Sequence, residues 1–500
     1  MINPDPIRGK NLETLSVITS NLDINALRKR MDSFGVEIVF PAELQSNPCA
    51  VTCCSAMLNL LPRLIPLVRY TGPSILLKDF PPSHLSKINV GNNVWNPSVT
   101  IVFGSDEKNE VQNVIYVGSS GWSCYISTKK PCMWNQQPTN FLSALYTAGL
   151  VVGEVFKYLL PEVQSEKISH VEYDLITHGR ATQPVVKPLL PESVYFEDLI
   201  IVGCGAVGQA LVFALKSTIR LWGTVTLIDN DKFEASNEQR YIGAFEEHRG
   251  MQKIDLLSQW LTQINPGLAI LKAPIKYEEY ARLGKPLGAE VVAAVDNEKT
   301  RINIQAGLPK ILWNVWTDTS QNTLRYGAGH HTLDGPYQCA ACGYYPTDST
   351  PSQMKMNSIR TGLPVEEVER KLTNNEITTE QDILRISQAT GVSLDFLRPN
   401  VGKPFHELLH GECGVYRLEF HEGQAVTPAP HTSFLAGVFL ASQIILRRMK
   451  LDDNAKLMDS VADFDAFGVP NANCLMKKQR NPKCFCNDPA YEKAYKEKWD

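Results

Sequence analysis

Along the second half of this chain, apolar runs of strand length alternate with apolar stripes at helix spacing. Leu199-Ile200-Ile201-Val202 is unbroken by any polar residue, the pattern of a strand buried on both faces. Ala210-Leu211-Val212-Phe213-Ala214-Leu215 follows as a helix, and Thr224-Val225-Thr226-Leu227-Ile228 as a second strand. Val292-Ala293-Ala294-Val295 adds a third strand. Strand, helix, strand in this order predicts a parallel, doubly wound sheet. The first half reads as an α/β domain of its own, with buried strands at Ser98–Gly104 and Asn113–Gly118. Two apolar helices, Phe141–Val152 and Ser433–Ala441, each carry an Ala-Gly pair near the end of their half. That echo has two readings, chance likeness between small-residue helices or a duplicated fold in which only the second copy kept a nucleotide site. Between Pro346 and Pro404, Val365–Leu372 and Thr379–Ile386 carry helical spacing on a polar background. They predict a helical insertion, placed as a lid or partner-docking element would be.

Three prolines within Pro184–Pro191 make a stiff connector, which divides the chain into residues 1–190 and 191–500, with the insertion at about 347–403. Hydrophobic residues at 43% and charged residues at 20% are ordinary for a globular protein, and a net charge of −4 excludes nucleic-acid binding driven by bulk charge. No run approaches the ~18 consecutive apolar residues of a membrane span. Met1-Ile2-Asn3-Pro4-Asp5 has neither the basic nor the apolar part of a secretory signal. The expectation is a cytoplasmic protein with no nucleic-acid or membrane partner. Twelve cysteines in such a chain do not form a disulfide framework.

The chemistry begins where the first strand meets its helix. Gly203-Cys204-Gly205-Ala206-Val207-Gly208 is a full G-x-G-x-x-G between strand and helix. Gly203, Gly205, Ala206 and Gly208 let the backbone approach a phosphate at a helix N-terminus. Asp229, ending the second strand, is placed to hold a ribose hydroxyl. The Ser98–Gly104 strand leads into Gly104-Ser105-Asp106 instead, without the glycines of a phosphate turn. A nicotinamide or flavin enzyme would need no more than Gly203–Asp229. Yet Asp231, Asn237, Arg240, Lys253, Asp296, Asn297 and Arg301 follow. Singly, each reads as a turn, cap or solvated surface charge. Together an Arg, a Lys and a strand-end Asp suit a triphosphate with its Mg2+.

In this order the residues resemble the adenylating domain of ubiquitin-activating enzymes and their sulfur-carrier relatives, the ThiF/MoeB superfamily. That pattern is a glycine turn, D-x-D, S-N-x-x-R, a Lys about a dozen residues on, and an apolar strand ending in D-N. It is matched by Gly203–Gly208, Asp229-Asn230-Asp231, Ser236–Arg240, Lys253 and Asp296-Asn297. The resemblance covers roughly residues 195 to 490. It implies that Asp229 holds the ribose, that Asn237, Arg240 and Lys253 contact the phosphates of ATP, and that Asp296 binds Mg2+ near the attacking carboxylate. The chemistry agrees: a carboxylate approaching the α-phosphate needs fixed cations and a metal to offset repulsion and developing charge.

Cys339-x-x-Cys342 and the distant Cys484-x-Cys486 read as a four-thiolate Zn2+ site. The family's second pair is usually C-x-x-C, so the departure leaves Cys474 as a substitute ligand. Cys413 lies in His410-Gly411-Glu412-Cys413-Gly414, a glycine-flanked loop. In the family, the cysteine that accepts the activated carrier lies between the first zinc pair and the following apolar helix. Cys413 alone fits that position, with His406, His410 and His431 able to lower its pKa or shuttle a proton.

The expected fold is therefore α/β, two Rossmann-like halves, an inactive N-terminal one and an active C-terminal adenylation domain, with a zinc site and a helical insertion. The inactive half would complete the active one, as in duplicated relatives, and lend it an arginine (Arg28, Arg30, Arg63 and Arg69 are the candidates). The resemblance implies ATP-dependent adenylation of a ubiquitin-like protein's C-terminal glycine, thioester formation on Cys413 and transfer to a conjugating enzyme. The plan is similar to activating enzymes of bacterial ubiquitin-like antiphage operons, and implies a single-chain pseudo-dimer, open to further homo-oligomerisation. The rivals are a sulfur-carrier adenylyltransferase of thiamin or molybdopterin synthesis and an NAD-dependent oxidoreductase.

Overall fold

The apolar runs become the central strands of two sheets. The computed structural model describes residues 6–19, 23–91, 95–104, 113–135, 139–179, 188–218, 220–284, 287–320, 323–345, 357–358, 361–390, 394–405, 408, 427–451 and 455–500. The first sheet comprises β1 (Gly35–Val39), β2 (Leu67–Thr71), β3 (Ile88–Val90), β4 (Val99–Phe103), β5 (Val114–Ser120), β6 (Ser123–Ser127) and β7 (His170–Asp174). The second comprises β8 (Ser193–Val202), β9 (Arg220–Ile228), β10 (Ala269–Ala273), β11 (Glu290–Ala293), β12 (Ile311–Ser320), β13 (Thr323–His331), β14 (Val461–Asp465) and β15 (Leu475–Met476).

The two sheets share one topology. The first runs β3-β2-β1-β4-β5-β6-β7 and the second β10-β9-β8-β11-β12-β13-β14-β15. Counted from its own first strand, each runs 3-2-1-4-5-6-7, and the second sheet adds an eighth strand, β15, at its edge. In each the first five strands are parallel and the next two antiparallel. The helices that echo one another in sequence, Phe141–Leu159 and Pro430–Leu446, both lie between the sixth and seventh strands. Of the two readings of that echo, the shared topology supports duplication.

The halves join through these helices and those that follow each first strand, Pro48–Leu64 and Ala206–Thr218, within one compact unit of residues 1–343, 426–480 and 484–500. Small residues set the approach. A Cβ at Gly149 would lie 2.7 Å from the Leu435 side chain, and one at Gly437 2.5 Å from the Leu211 backbone. Tyr146 and Tyr326 share a hydroxyl hydrogen bond of 2.8 Å across the joint. The Phe141–Leu159 helix is long and apolar enough to cross a membrane, but it is buried here as a core helix.

One expectation is corrected. The strand that leads the first half is Gly35–Val39, so the counterpart of the glycine turn is Phe40–Asn47 and not the segment after Gly104. That turn is a 3-10 helix, Ala42–Ser46, without glycine. The crevice it would open is filled by the half's own side chains. Phe40 lies 5.1 Å from Phe103, Phe103 stacks on Trp134 at 5.4 Å, and Pro41 Cγ stands 3.0 Å from where a Gly104 Cβ would be. The conclusion that this half has no phosphate turn holds, for a different segment.

The second compact unit, residues 344–425 with 481–483, holds the insertion. Its helices Val365–Thr373 and Glu380–Thr390 bury Val368, Ile383 and Ile386 with Leu363, Leu397 and Phe405. Thr379 and Asp382 form a reciprocal cap on the second helix, with bonds of 3.2 and 2.8 Å. Asp382 also pairs with the buried Lys371 at 3.0 Å.

Candidate functional site

The glycine turn owes its shape to close backbone approaches. Gly203 has φ +93°, and a Cβ there would lie 2.6 Å from the Ala294 carbonyl at the end of β11. A Cβ at Gly208 would lie 2.2 Å from the Gly203 carbonyl oxygen. Any side chain at either position would force the turn open. The helix Ala206–Thr218 therefore starts directly behind β8, and the N-terminus of such a helix carries unsatisfied amides and the positive end of its dipole.

Asp229 closes the turn from the neighbouring strand. Its carboxylate accepts from Cys204 N–H at 2.7 Å and from Asp231 N–H at 2.8 Å. Burial raises its pKa, opposed by Lys253 and the two amides. Lys253 is the first residue of the helix Lys253–Ile264, and its Nζ donates to Asp231 Oδ2 at 2.7 Å. Burial pulls the Lys253 pKa down, but Tyr241, Asp229 and Asp231 more than reverse this, so the ammonium is held above its usual range.

Arg240 reaches the same place from a third segment. Its guanidinium donates to the Ser236 carbonyl at 3.3 Å, and among the described residues no carboxylate pairs with it. Asn237 ends the 3-10 turn Ala235–Asn237, its side-chain oxygen accepting from Glu234 N–H at 3.0 Å. The joint between these pieces is Tyr241, which the sequence reading did not single out. Arg240 Cζ lies 5.5 Å and Lys253 Nζ 5.7 Å from its ring centre, and its hydroxyl stands 3.3 Å from a Cβ built on Gly205. Tyr241 is buried, and its burial among partners from other segments is not something the local sequence announces.

Asp296 is exposed just past β11, in the loop whose Ala294 and Val295 touch Gly203. Asn297 is the N-cap of the helix Glu298–Ala306, accepting from Thr300 N–H at 3.0 Å. Arg301 is buried and donates to the Ala293 carbonyl at 3.3 Å and to Val295 and Asn314, so it fixes the loop that carries Asp296. Gly203, Gly205, Ala206, Gly208, Asp229, Asp231, Asn237, Arg240 and Lys253 thus come together, with Asp296 alongside. Cys413, His406 and His410 lie outside the described residues. His431 is fully buried in the helix Pro430–Leu446, 5.2 Å from Phe156, and burial and Lys157 lower its pKa to about 3. A histidine so enclosed is a poor proton shuttle.

Of the four candidate arginines of the first half, Arg30 pairs with Glu162 and Arg69 with Glu37, while Arg28 is exposed. Arg63 reaches the second half, where it donates to the backbone carbonyls of Glu238 and Ala244.

Cys339, Cys342, Cys484 and Cys486 form a separate buried cluster, their sulfurs within 4.8 Å of one another. Cys339–Cys342, Cys339–Cys484 and Cys342–Cys486 measure 3.8, 3.6 and 3.4 Å. Tetrahedral zinc, with Zn–S near 2.3 Å, sets sulfurs about 3.8 Å apart. Donor type, spacing and burial all fit zinc, and the C-x-C pair supplies both of its ligands. Cys474 is not among the four. The cluster ties the C-terminal tail to the turn after β13, which Arg480 braces by donating to the carbonyls of Cys486, Leu333 and Gly335.

Comparison with known proteins bears on the same region. The profile of the ThiF family matches residues 192–486, more than half of the chain. The uncharacterized protein y4jF of Sinorhizobium fredii (strain NBRC 101917 / NGR234) is 24% identical over 425 residues, 83% of this chain and 80% of that protein. Among solved structures, Escherichia coli MccB with ATP aligns at 16% identity and a TM-score of 0.33, covering 58% of this chain and 65% of that one. The microcin C7 biosynthetic enzyme MccB with N-formylated MccA aligns at 16% identity and a TM-score of 0.34, over 58% and 66%. The chain spans just under two thirds of the MccB structures it matches.

Proposed function

The chain belongs to the ThiF family, and from that premise we propose that its C-terminal half is an ATP-dependent adenylating enzyme acting on the C-terminal glycine of a ubiquitin-like carrier protein. The observation that carries the reading is the convergence of Arg240 and Lys253 on one buried ring, Tyr241, whose hydroxyl abuts the glycine turn. Two cations from separate segments, beside helix-terminal amides, are what a triphosphate requires and what a dinucleotide does not.

In this reading Asp229, already fixed by two amides, turns its remaining lone pairs to the ribose hydroxyls. Arg240, Lys253 and Asn237 hold the phosphates, and Asp231 steers the Lys253 ammonium. Asp296 would hold Mg2+, which supplies charge neutralisation at the phosphates. The carrier's carboxylate oxygen attacks the α-phosphorus, a P–O bond to the β-phosphate breaks, and pyrophosphate leaves. Zinc in the four-cysteine cluster is structural. The second step is capture of the acyl group by Cys413, whose thiolate displaces AMP, followed by transfer to a conjugating enzyme. The two halves in one chain and the helical insertion support the setting we assign, a bacterial antiviral conjugation system.

The test is exchange of labelled pyrophosphate into ATP, with a small glycine-terminated protein encoded beside this chain as substrate. Exchange by the full chain, lost in Arg240→Ala and Lys253→Ala, is the expected result. Tight NAD binding with no MgATP binding would overturn the reading.

A further inference from the structure

The motif Ser236–Arg240 divides its residues between two directions. Asn237 and Arg240 flank the candidate phosphate site, while Glu238 and Gln239 between them are buried against the N-terminal half. Lys87 pairs with the Glu238 carboxylate at 2.5 Å, and the Gln239 amide donates to Asn11 Oδ1 at 2.8 Å. Downstream, Gly243 N–H donates to Asn59 Oδ1 at 3.1 Å. Arg63 closes the frame from both ends, donating to the Glu238 carbonyl and, at 2.9 Å, to the Ala244 carbonyl.

We propose that Arg63, held by Asn59, is a positioning residue that moulds the Glu238–Ala244 loop and so sets where Arg240 meets the phosphates of ATP. The proposal rests on the reading of Arg240 as a phosphate contact. Arg63 is 1% exposed, and all three of its guanidinium nitrogens have protein acceptors, Nε bonding Asn59 at 2.9 and 3.1 Å. Its charge therefore acts on the loop backbone and leaves the phosphates to Arg240. The loop has little structure of its own to fix Arg240, only short turns such as Arg240 N–H to the Asn237 carbonyl at 3.1 Å. Charge-assisted bonds to two carbonyls on either side of Arg240 outweigh those turns. A displacement of about 1 Å in a phosphate-binding cation is enough to lose much of its effect. Through Arg63 the N-terminal half thus contributes a mould for the loop, and Arg63 is not itself a phosphate ligand.

Titration of the full chain with MgATP tests this. Arg63→Lys keeps the charge but loses the two-ended fork, and should weaken MgATP binding about tenfold, the order expected for one lost charge-assisted bond. Arg69→Lys, in the same half but paired with Glu37, should bind normally. The deciding measurement is the double variant. If Arg63 acts through Arg240, Arg63→Lys with Arg240→Ala binds no more weakly than Arg240→Ala alone, whereas a general structural effect adds. Normal binding by Arg63→Lys, or additive losses, overturns the proposal. If Arg63→Lys does not melt cooperatively, Asn59→Ala, which removes the anchor of Gly243 and of Arg63, carries the same comparison with the same two outcomes. Normal binding by Arg240→Ala removes Arg240 from the phosphate site and this proposal with it, so the two readings fail on different variants.

Discussion

Cys339 and Cys484 stand 145 residues apart in sequence and 3.6 Å apart at their sulfurs. With Cys342 and Cys486 they enclose the space of one tetrahedral ion, so protein purified without chelators is expected to carry about one zinc per chain. Cys342→Ser should lower the melting temperature, as should removing the metal, because the cluster is one of the contacts that fasten the tail after β15, alongside bonds such as Tyr495 to the Lys310 carbonyl at 2.7 Å. Metal analysis without zinc would end this assignment.

Asp296 and Asn297 are neighbours in sequence with different expected roles. The exposed Asp296 supports little packing, so Asp296→Ala should abolish pyrophosphate exchange at an unchanged melting temperature. Asn297 caps the Glu298–Ala306 helix at 3.0 Å, and Asn297→Ala should destabilise the protein by about 1 kcal/mol. Exchange and thermal melting of the two variants, side by side, check both. Undiminished exchange in Asp296→Ala would take that residue out of the mechanism.

The contrast also marks how far the sequence could be read. β8, β9 and β11 were legible because each ends in a largely apolar, buried stretch. The glycine turn was legible because its G-x-G-x-x-G spacing is itself written in the sequence, although one of the contacts that requires it, Gly203 against Ala294, comes from far along the chain. β1 was not, since Glu37 breaks its pattern and pairs with Arg69. The insertion's helices formed where their spacing placed them. Tyr241, and the inward faces of Glu238 and Gln239, depend on partners far away in the chain, which no local pattern records. The zinc pairing was legible only because thiolate chemistry leaves few alternatives.

Buried histidines, His84, His178 and His431 among them, predict acid sensitivity. Burial and the cations Arg63 and Lys87 lower the His84 pKa to about 3, burial lowers that of His178 to about 4 against Asp174, and burial and Lys157 lower that of His431 to about 3. In the unfolded chain each binds a proton near pH 6.5, while the folded protein keeps it neutral. Stability is therefore full above pH 6.5 and falls as pH drops from 6.5 toward 4, by up to about 1.4 kcal/mol per pH unit for each histidine. His431→Phe, which keeps the ring against Phe156, should flatten the pH dependence of the melting temperature in that window. An unchanged slope would show that His431 is not held neutral.

Residues 191–500 alone are expected to be insoluble or inactive. Removing the first half exposes the Pro430–Leu446 helix where Gly149 and Leu435 meet, and strips Arg63 and Asn59 from the Glu238–Ala244 loop. Solubility, MgATP binding and exchange of the shortened chain measure this. Full activity in residues 191–500 would mean that the second half needs no mould.

The thiol that separates conjugation from simple adenylation is expected to be Cys413. A thiolate attacking an acyl-adenylate needs reach, and the sequence sets a glycine, the residue least restricted in backbone, on each side of Cys413, at Gly411 and Gly414. The other cysteines are poor candidates on chemical grounds. Cys53, Cys54, Cys124 and Cys204 are buried, and burial raises their thiol pKa values, which keeps them protonated and unreactive. The four of the cluster are committed to metal in our reading. Incubation with MgATP and the carrier should therefore give a higher-mass band that vanishes on adding a thiol reductant. Cys413→Ala should retain pyrophosphate exchange yet lose both the band and transfer to a conjugating enzyme. Were the band kept in Cys413→Ala and lost in Cys474→Ala, the half-buried Cys474 would be the nucleophile. If no cysteine variant changed the outcome, the adenylate would pass directly to a partner, as sulfur-carrier activation requires.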